Sequence, residues 1–233
     1  MSQNLIRTTN LMNYPLSFKN GHIFIEINKQ NWLIDTGAPT SFGKNSVSLQ
    51  EQNFNIAPTY MGTGADYITE HTHVECCGLL GMDILGKFRH LFNLKDNFVT
   101  IDTNNIELEG TQVIISSFMS IPTVTLDINK QSHKVFFDTG AQLSYIDSHL
   151  LSLGQPNGNF VDFHPFLGAF ETETATLSTG LSGTYFDLVF GSLPPLFELT
   201  LKSANADGIL GNEFMKGNIT LFDPIDGVLV VQC

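Results

Sequence analysis

Two four-residue segments, Asp35-Thr36-Gly37-Ala38 and Asp138-Thr139-Gly140-Ala141, each place a carboxylate at the end of an apolar run, Trp32-Leu33-Ile34 in one and Val135-Phe136-Phe137 in the other. A carboxylate that follows a buried strand is held in a loop. The glycine leaves room for another backbone to approach, and the threonine hydroxyl is free to bond main-chain groups of a facing loop. One such loop is half of a site. Where two face each other, Asp35 and Asp138 cannot both ionise near neutral pH, so they share a proton and titrate as a coupled pair. The ionised member takes a proton from a water between them as that water attacks a carbonyl carbon, and the protonated member donates to the forming oxyanion. Thr36, Gly37, Ala38, Thr139, Gly140 and Ala141 are the expected support for this chemistry.

The elements that must position these loops are themselves repeated, and a repeat organises everything else in a sequence. Ile27-Asn28-Lys29-Gln30 ahead of the first loop answers Ile128-Asn129-Lys130-Gln131 ahead of the second. Downstream, Gly78-Leu79-Leu80-Gly81-Met82-Asp83 answers Gly208-Ile209-Leu210-Gly211-Asn212-Glu213, and Leu91-Phe92-Asn93 answers Leu221-Phe222-Asp223. Asp96-Asn97 and Asp226-Gly227 are turn signals between apolar runs, so each copy is expected to close with a hairpin. The aspartates are offset by 103 residues and the downstream motifs by 130, which gives the second copy 27 extra residues. The expected place for them is around Tyr185–Phe190 and Leu196–Leu201, read as an added strand pair about the Pro194-Pro195 turn. The remainder alternates short apolar runs with Gly, Pro, Asn and Asp clusters, which predicts an all-β chain with short helices near 83–88 and 213–216. The polar stretch 103–110 divides it into lobes at 1–109 and 110–233.

Both copies resemble the aspartic proteases of the pepsin and retroviral (retropepsin) type, whose pattern is Asp-Thr-Gly, a flap, then two apolar residues and Gly. Asp35-Thr36-Gly37 with Leu79-Leu80-Gly81, and Asp138-Thr139-Gly140 with Ile209-Leu210-Gly211, match it over nearly the whole chain. The resemblance implies a bilobal acid-protease fold of two pseudo-symmetric, retropepsin-like lobes. It also implies an active-site cleft between them, catalytic roles for Asp35 and Asp138, and peptide-bond hydrolysis. The alternative is a catalytically silent peptide-binding or regulatory module on the same fold. Ala38 and Ala141 stand where pepsin-like enzymes carry a hydroxyl residue, as in the retroviral branch. The flap comparison points to Tyr60-Met61-Gly62-Thr63-Gly64 in the first copy, with the aromatic one place earlier than in pepsin, and to Phe166-Leu167-Gly168 in the second. Two flaps are expected, as in retropepsins.

Composition narrows the partners. A formal net charge of −12 disfavours a nucleic-acid backbone. The first residues lack a signal peptide's apolar run, and no stretch approaches the roughly 20 apolar residues of a membrane span. A cytoplasmic protein without membrane or nucleic-acid partners is expected, with export by a signal-less route left open. The expected substrate is an extended polypeptide, and with both carboxylates in one chain a monomer suffices. No cofactor is implied. His71, His73 and Glu75 would share one face if their segment were a strand, but their spacing matches no ligand pattern, and no metal is expected. Gly62-Thr63-Gly64 lacks the strand, lysine and helix of a phosphate loop. Cys76 and Cys77 read as thiols on opposite faces of a strand in a reducing compartment.

Overall fold

The computed structural model describes residues 12–164 and 168–233. The first half runs β1 (Met12–Lys19), β2 (His22–Ile27), β3 (Gln30–Ile34), β4 (Phe42–Gly43), β5 (Val47–Leu49), β6 (Gln52–Phe54), β7 (Thr59–Tyr60), β8 (Thr63–Gly64), α1 (Ala65–Thr72), β9 (Gly78–Leu80), α2 (Met82–Leu85), β10 (Arg89–Asn93) and β11 (Phe98–Asp102). The second runs β12 (Thr111–Ile114), β13 (Ser116–Phe118), β14 (Ile121–Ile128), β15 (Gln131–Phe137), β16 (Ser144–Ile146), α3 (Ser148–Leu151), β17 (Gln155–His164), β18 (Gly168–Leu181), β19 (Thr184–Gly191), α4 (Pro195–Ser203), β20 (Gly208–Leu210), a 3-10 helix (Asn212–Met215), β21 (Ile219–Asp223) and β22 (Val228–Gln232). The chain is all-β and two-lobed, as expected; its larger sheet takes in β12, β21 and β22 of the second half, and the sheet of β13 to β20 curls on itself where β14 also pairs with β18.

Local chemistry sets the hairpins that open each half. Asn28-Lys29 and Asn129-Lys130 both take φ between 50° and 65°. A two-residue turn with left-handed backbone at both positions matches strand twist, and asparagine tolerates that conformation. The strands then pair Ile27↔Gln30 and Ile128↔Gln131. Inward positions such as Ile23, Ile25, Trp32 and Ile34, and Val124, Leu126, Val135 and Phe137, are buried. β1 pairs first with β11 and then, past Pro15, with β2, so one bent strand serves two parts of its sheet. The second copy makes the same bend by breaking into β12 and β13.

The halves join edge to edge. The larger sheet has the order β12-β22-β21-β10-β11-β1, continuing to β2-β3-β9-β4, and its central contact is β10 with β21. There Leu91 lies opposite Leu221, its own counterpart in the repeat, and His90↔Phe222 mirrors Phe92↔Thr220. A pair of equivalent residues facing each other is the mark of a two-fold axis. Phe88, Phe92, Phe137 and Phe222 are fully buried near this junction. Arg89 of β10 crosses it, donating from Nε to Asp223 at 2.7 Å and from Nη2 to Asp226 at 2.7 Å. The closing hairpins are present, with four-residue loops at 94–97 and 224–227 rather than two-residue turns. Asn93 and Asp223 begin those loops by accepting from Asp96 N and Asp226 N.

One expectation is corrected. Residues 185–190 are strand, in β19, but 196–201 belong to helix α4. Pro195 occupies its first turn, Glu198 and Lys202 sit at the ends that favour their charges, and Leu201 and Ala204 are buried while Leu199 is exposed. α4 starts 130 residues after α1, so it is the counterpart of α1. The extra residues lie before it, in the long ribbon β17-β18-β19, where β18 alone has 14 residues. The short helices near 83–88 and 213–216 are found, as α2 and the 3-10 helix. Among the described residues, no helix is long and apolar enough to cross a membrane.

Candidate active site

Each aspartate follows a strand paired in parallel with the apolar segment that matched in the repeat: Ile34↔Leu80 in the first half and Phe137↔Leu210 in the second. The pairing continues into the loops, where Asp35 N donates to Leu80 O at 3.0 Å and Asp138 N to Leu210 O at 2.9 Å. Gly81 and Gly211 admit the loops closely, since a Cβ on either would lie 2.7 Å from a loop carbonyl. Met82 N and Asn212 N then donate to Ala38 O and Ala141 O. Ser41 and Ser144, also 103 residues apart, each accept from the N–H of those glycines, at 2.8 and 3.0 Å. These serines carry the same offset as the aspartates, and that match was legible in the sequence.

The two loops face each other and are tied by their threonines. Thr36 N donates to Thr139 Oγ1 at 3.1 Å, and Thr139 N to Thr36 Oγ1 at 3.0 Å. Each hydroxyl passes its own proton across the junction, Thr36 Oγ1 to Phe137 O at 2.7 Å and Thr139 Oγ1 to Ile34 O at 2.9 Å. Both threonines are fully buried. The glycines are required by proximity: a Cβ on Gly37 would sit 2.3 Å from the Asp138 carboxyl, and one on Gly140 2.5 Å from that of Asp35. Asp35 and Asp138 therefore meet, each carboxyl group standing against the glycine of the other's loop.

Their electrostatic settings differ. Burial first, then the charge of Asp138 and the bond to it, hold Asp35 well above the usual carboxylate range. Burial also raises Asp138, but the bond from Asp35 and the N–H groups of Gly140, Ala141 and Gly37 oppose the shift. Both carboxyl groups are held above the usual carboxylate range, so one proton is shared between them. Such a pair holds an acid and a base within reach of one water.

The flap residues are placed as follows. Tyr60 and Thr63 pair across a turn at Met61 and Gly62, whose φ angles are 49° and 84°. This hairpin has strands of two residues and runs through Gly64 straight into α1. Tyr60 packs against the cluster of Phe24, Leu33 and Phe42, beside Ala38. The second hairpin is much longer: β17 and β18 pair from Gln155↔Thr176 to His164↔Gly168, so Gly168 begins the return strand. Phe166 and Leu167 lie outside the described residues. Phe163, near this end, stacks on His71 of α1 with ring centroids 3.6 Å apart and meets Tyr67 at 5.3 Å. The second hairpin therefore reaches the first half, and the two hairpins differ in length.

Sequence reasoning missed four side chains beside the second loop. Asp162 on β17 accepts from Tyr145 Oη and, at 3.0 Å, from Gln142 Nε2. Burial, then the Asp162 charge, pushes the Tyr145 phenol far up and keeps it a donor. His22 lies with Nδ1 3.2 Å from Gly140 O, and burial lowers its pKa. None of these has a counterpart of its own type in the repeat, so the internal comparison could not flag them. His71 lies in α1 and His73 is its left-handed C-cap, so the strand reading of that segment is corrected. Cys76 is buried and Cys77 half-buried, in the segment just before β9, and both thiols are free.

Comparison with known proteins adds little. No family model matches the chain, and no curated protein does. Among solved structures, the solution structure of simian foamy virus (mac) protease is similar over 40% of this chain and 91% of its own, at 13% identity and a TM-score of 0.31.

Proposed function

We propose that this protein is an aspartic endopeptidase, with Asp35 and Asp138 as its catalytic pair. The observation that carries the reading is the reciprocal threonine lattice, which presses two Asp-Thr-Gly-Ala loops together until each carboxyl group stands against the other loop's glycine. A fold gains nothing in stability from burying two carboxyl groups against each other, and the arrangement is what a shared-proton acid and base requires. The ionised carboxylate deprotonates the water, the water oxygen bonds to the peptide carbonyl carbon, and the protonated carboxyl donates to the carbonyl oxygen. Collapse of the tetrahedral species breaks the C–N bond: the carboxyl that took the water proton passes it to the leaving nitrogen, and a hydroxyl proton returns to the other carboxylate.

The lobes proposed at 1–109 and 110–233 form the walls of the cleft, and the substrate is a polypeptide bound extended, with strand-like main-chain bonds. The flap function falls to the β17–β18 hairpin, with Tyr60 to Gly64 and Gly168 lining the cleft near its ends. One chain supplies both carboxylates, so a monomer is the active form, and no cofactor takes part.

The test is cleavage of an unfolded protein by the wild type and by Asp35→Asn and Asp138→Asn. Each single variant should lose more than about 99% of the rate, because neither carboxylate alone is both acid and base. A variant that keeps a tenth of the rate would overturn the shared-water mechanism. A wild type that binds extended peptides without cutting them would favour the silent binding module.

A further inference from the structure

The two loops match residue for residue, yet what packs behind them does not. The β1–β2 turn, Asn20-Gly21, lies against the second loop. Asn212, fully buried, donates from Nδ2 to Gly21 O at 2.8 Å and to Thr139 O at 3.0 Å, bracing that turn onto the loop. A Cβ on Gly21 would stand 2.2 Å from Gln142, so the approach depends on glycine. His22 follows directly, and its Nδ1 is 3.2 Å from Gly140 O.

The equivalent positions behind the first loop are occupied differently. His22 pairs with Lys19 across its turn as Ile121 pairs with Phe118, which makes Ile121 the counterpart of His22 and Ser120 that of Gly21. Asn212 has Met82 as its counterpart, each opening the helix after its glycine. Ile121 and Met82 have no side-chain donor. Two independent differences therefore fall on one structural relation.

A carbonyl oxygen only accepts, so Nδ1 of His22 carries the hydrogen, and burial, by lowering the pKa, favours the neutral ring. The carbonyl of Gly140 and the N–H of Ala141 belong to one peptide unit. That N–H donates to Asp138 Oδ1 at 3.2 Å, and Gly140 N donates to the same oxygen at 2.8 Å. A donor on the carbonyl polarises the peptide and strengthens what its N–H gives. In the first loop Ala38 N donates to Asp35 Oδ1 at 2.9 Å, and the position equivalent to His22 is Ile121. The charged groups facing His22 are Asp138 and Asp162.

We propose that His22, braced by Asn212, is a positioning residue that breaks the equivalence of the pair: its bond to Gly140 O makes Asp138 the base and leaves Asp35 the acid. This rests on the endopeptidase reading for its catalytic consequence, but the charge order it asserts is measurable without catalysis.

The experiment is a side-chain carboxyl carbon-13 titration of the full-length protein, with signals assigned through Asp35→Asn and Asp138→Asn. It is run on the wild type, His22→Asn, whose amide nitrogen takes the place of Nδ1, and His22→Phe, which removes the donor. Between the two titration steps of the wild type, Asp138 should show a carboxylate shift and Asp35 a carboxylic acid shift. His22→Asn should keep that order. His22→Phe should bring the two shifts together, raise the lower step by about half a unit, and carry the acid limb of kcat/KM up with it, lowering kcat about tenfold with KM within about twofold. A wild type with the charge on Asp35, or a His22→Phe protein with unchanged order and acid limb, would overturn the proposal. Should His22→Phe not fold, His22→Gln, which displaces the donor, stands in its place with the same expectations. A protein with the expected charge order but no peptidase activity would sink the endopeptidase reading and leave this one standing. An active peptidase whose charge order ignores residue 22 would do the reverse.

Discussion

A carboxyl group kept protonated beside a second carboxylate is a cost to the fold as well as a reagent. Because the native pKa of Asp35 is raised, its contribution to stability is fully present below the ordinary carboxylate range and is lost as pH rises through the native value. Asp35→Asn removes that penalty without changing shape. Its melting temperature should exceed that of the wild type at about pH 8, with the gap closing towards about pH 3, where the unfolded carboxyl is protonated too. Calorimetry at the two pH values decides, and a gap independent of pH would mean that Asp35 is not the member holding the proton. The paired motifs were legible because both copies keep the same four residues in matched flanks. His22, Gln142, Tyr145 and Asp162 were not legible, since their importance comes from long-range approaches that occur in one half alone.

Among the elements, β10 brings two buried titratable side chains, Arg89 and His90, to the junction. His90 is fully buried between Phe92 and Phe222, with Nε2 2.8 Å from Leu85 O and Nδ1 without a partner among the described residues. Burial lowers its pKa from 6.5 to about 4. The unfolded chain takes up a proton that the native ring refuses, so stability falls as pH drops from about 6.5 to about 4, by roughly 3 kcal/mol in all. His90→Gln keeps a donor near Leu85 O and cannot titrate, so urea unfolding should show less acid loss over that window than in the wild type. Equal losses would place the acid sensitivity elsewhere. One strand position away, Arg89→Met should destabilise by about 3 kcal/mol, because it leaves Asp223, 2% exposed, without its cation. A loss under about 1 kcal/mol would show that Asp223 finds another partner or a proton. The strands of this junction were legible from the repeat. Helix α4 was not, because Phe197, Leu199 and Leu201 alternate like a strand, and only the fold reveals that Leu199 faces outward while Leu201 and Ala204 pack together.

At the scale of the molecule, near-symmetry in the frame supports asymmetry at the mouth of the site. Residue spacing suggested two matched flaps; what distinguishes them, strand length, depends on where the 27 extra residues fall, and spacing alone did not locate them. Phe163→Ala should free the β17–β18 hairpin from α1, speeding amide hydrogen exchange over 159–164 and 168–172 by about tenfold or more while leaving exchange in β10 and β21 unchanged. No change in the hairpin would mean that the stack on His71 does not hold it. The self-facing Leu91↔Leu221 pair has a further consequence, which concerns synthesis. Leu91 emerges from the ribosome 130 residues before Leu221, and at roughly 5–20 residues per second β10 waits on the order of ten seconds for its neighbour. During that wait its outer edge is an open template, and a strand that pairs with its own counterpart is shaped to accept the same edge of another unfinished chain. Closely spaced ribosomes on one message are therefore expected to yield pairs of nascent chains joined through β10, which the arrival of β21 must displace.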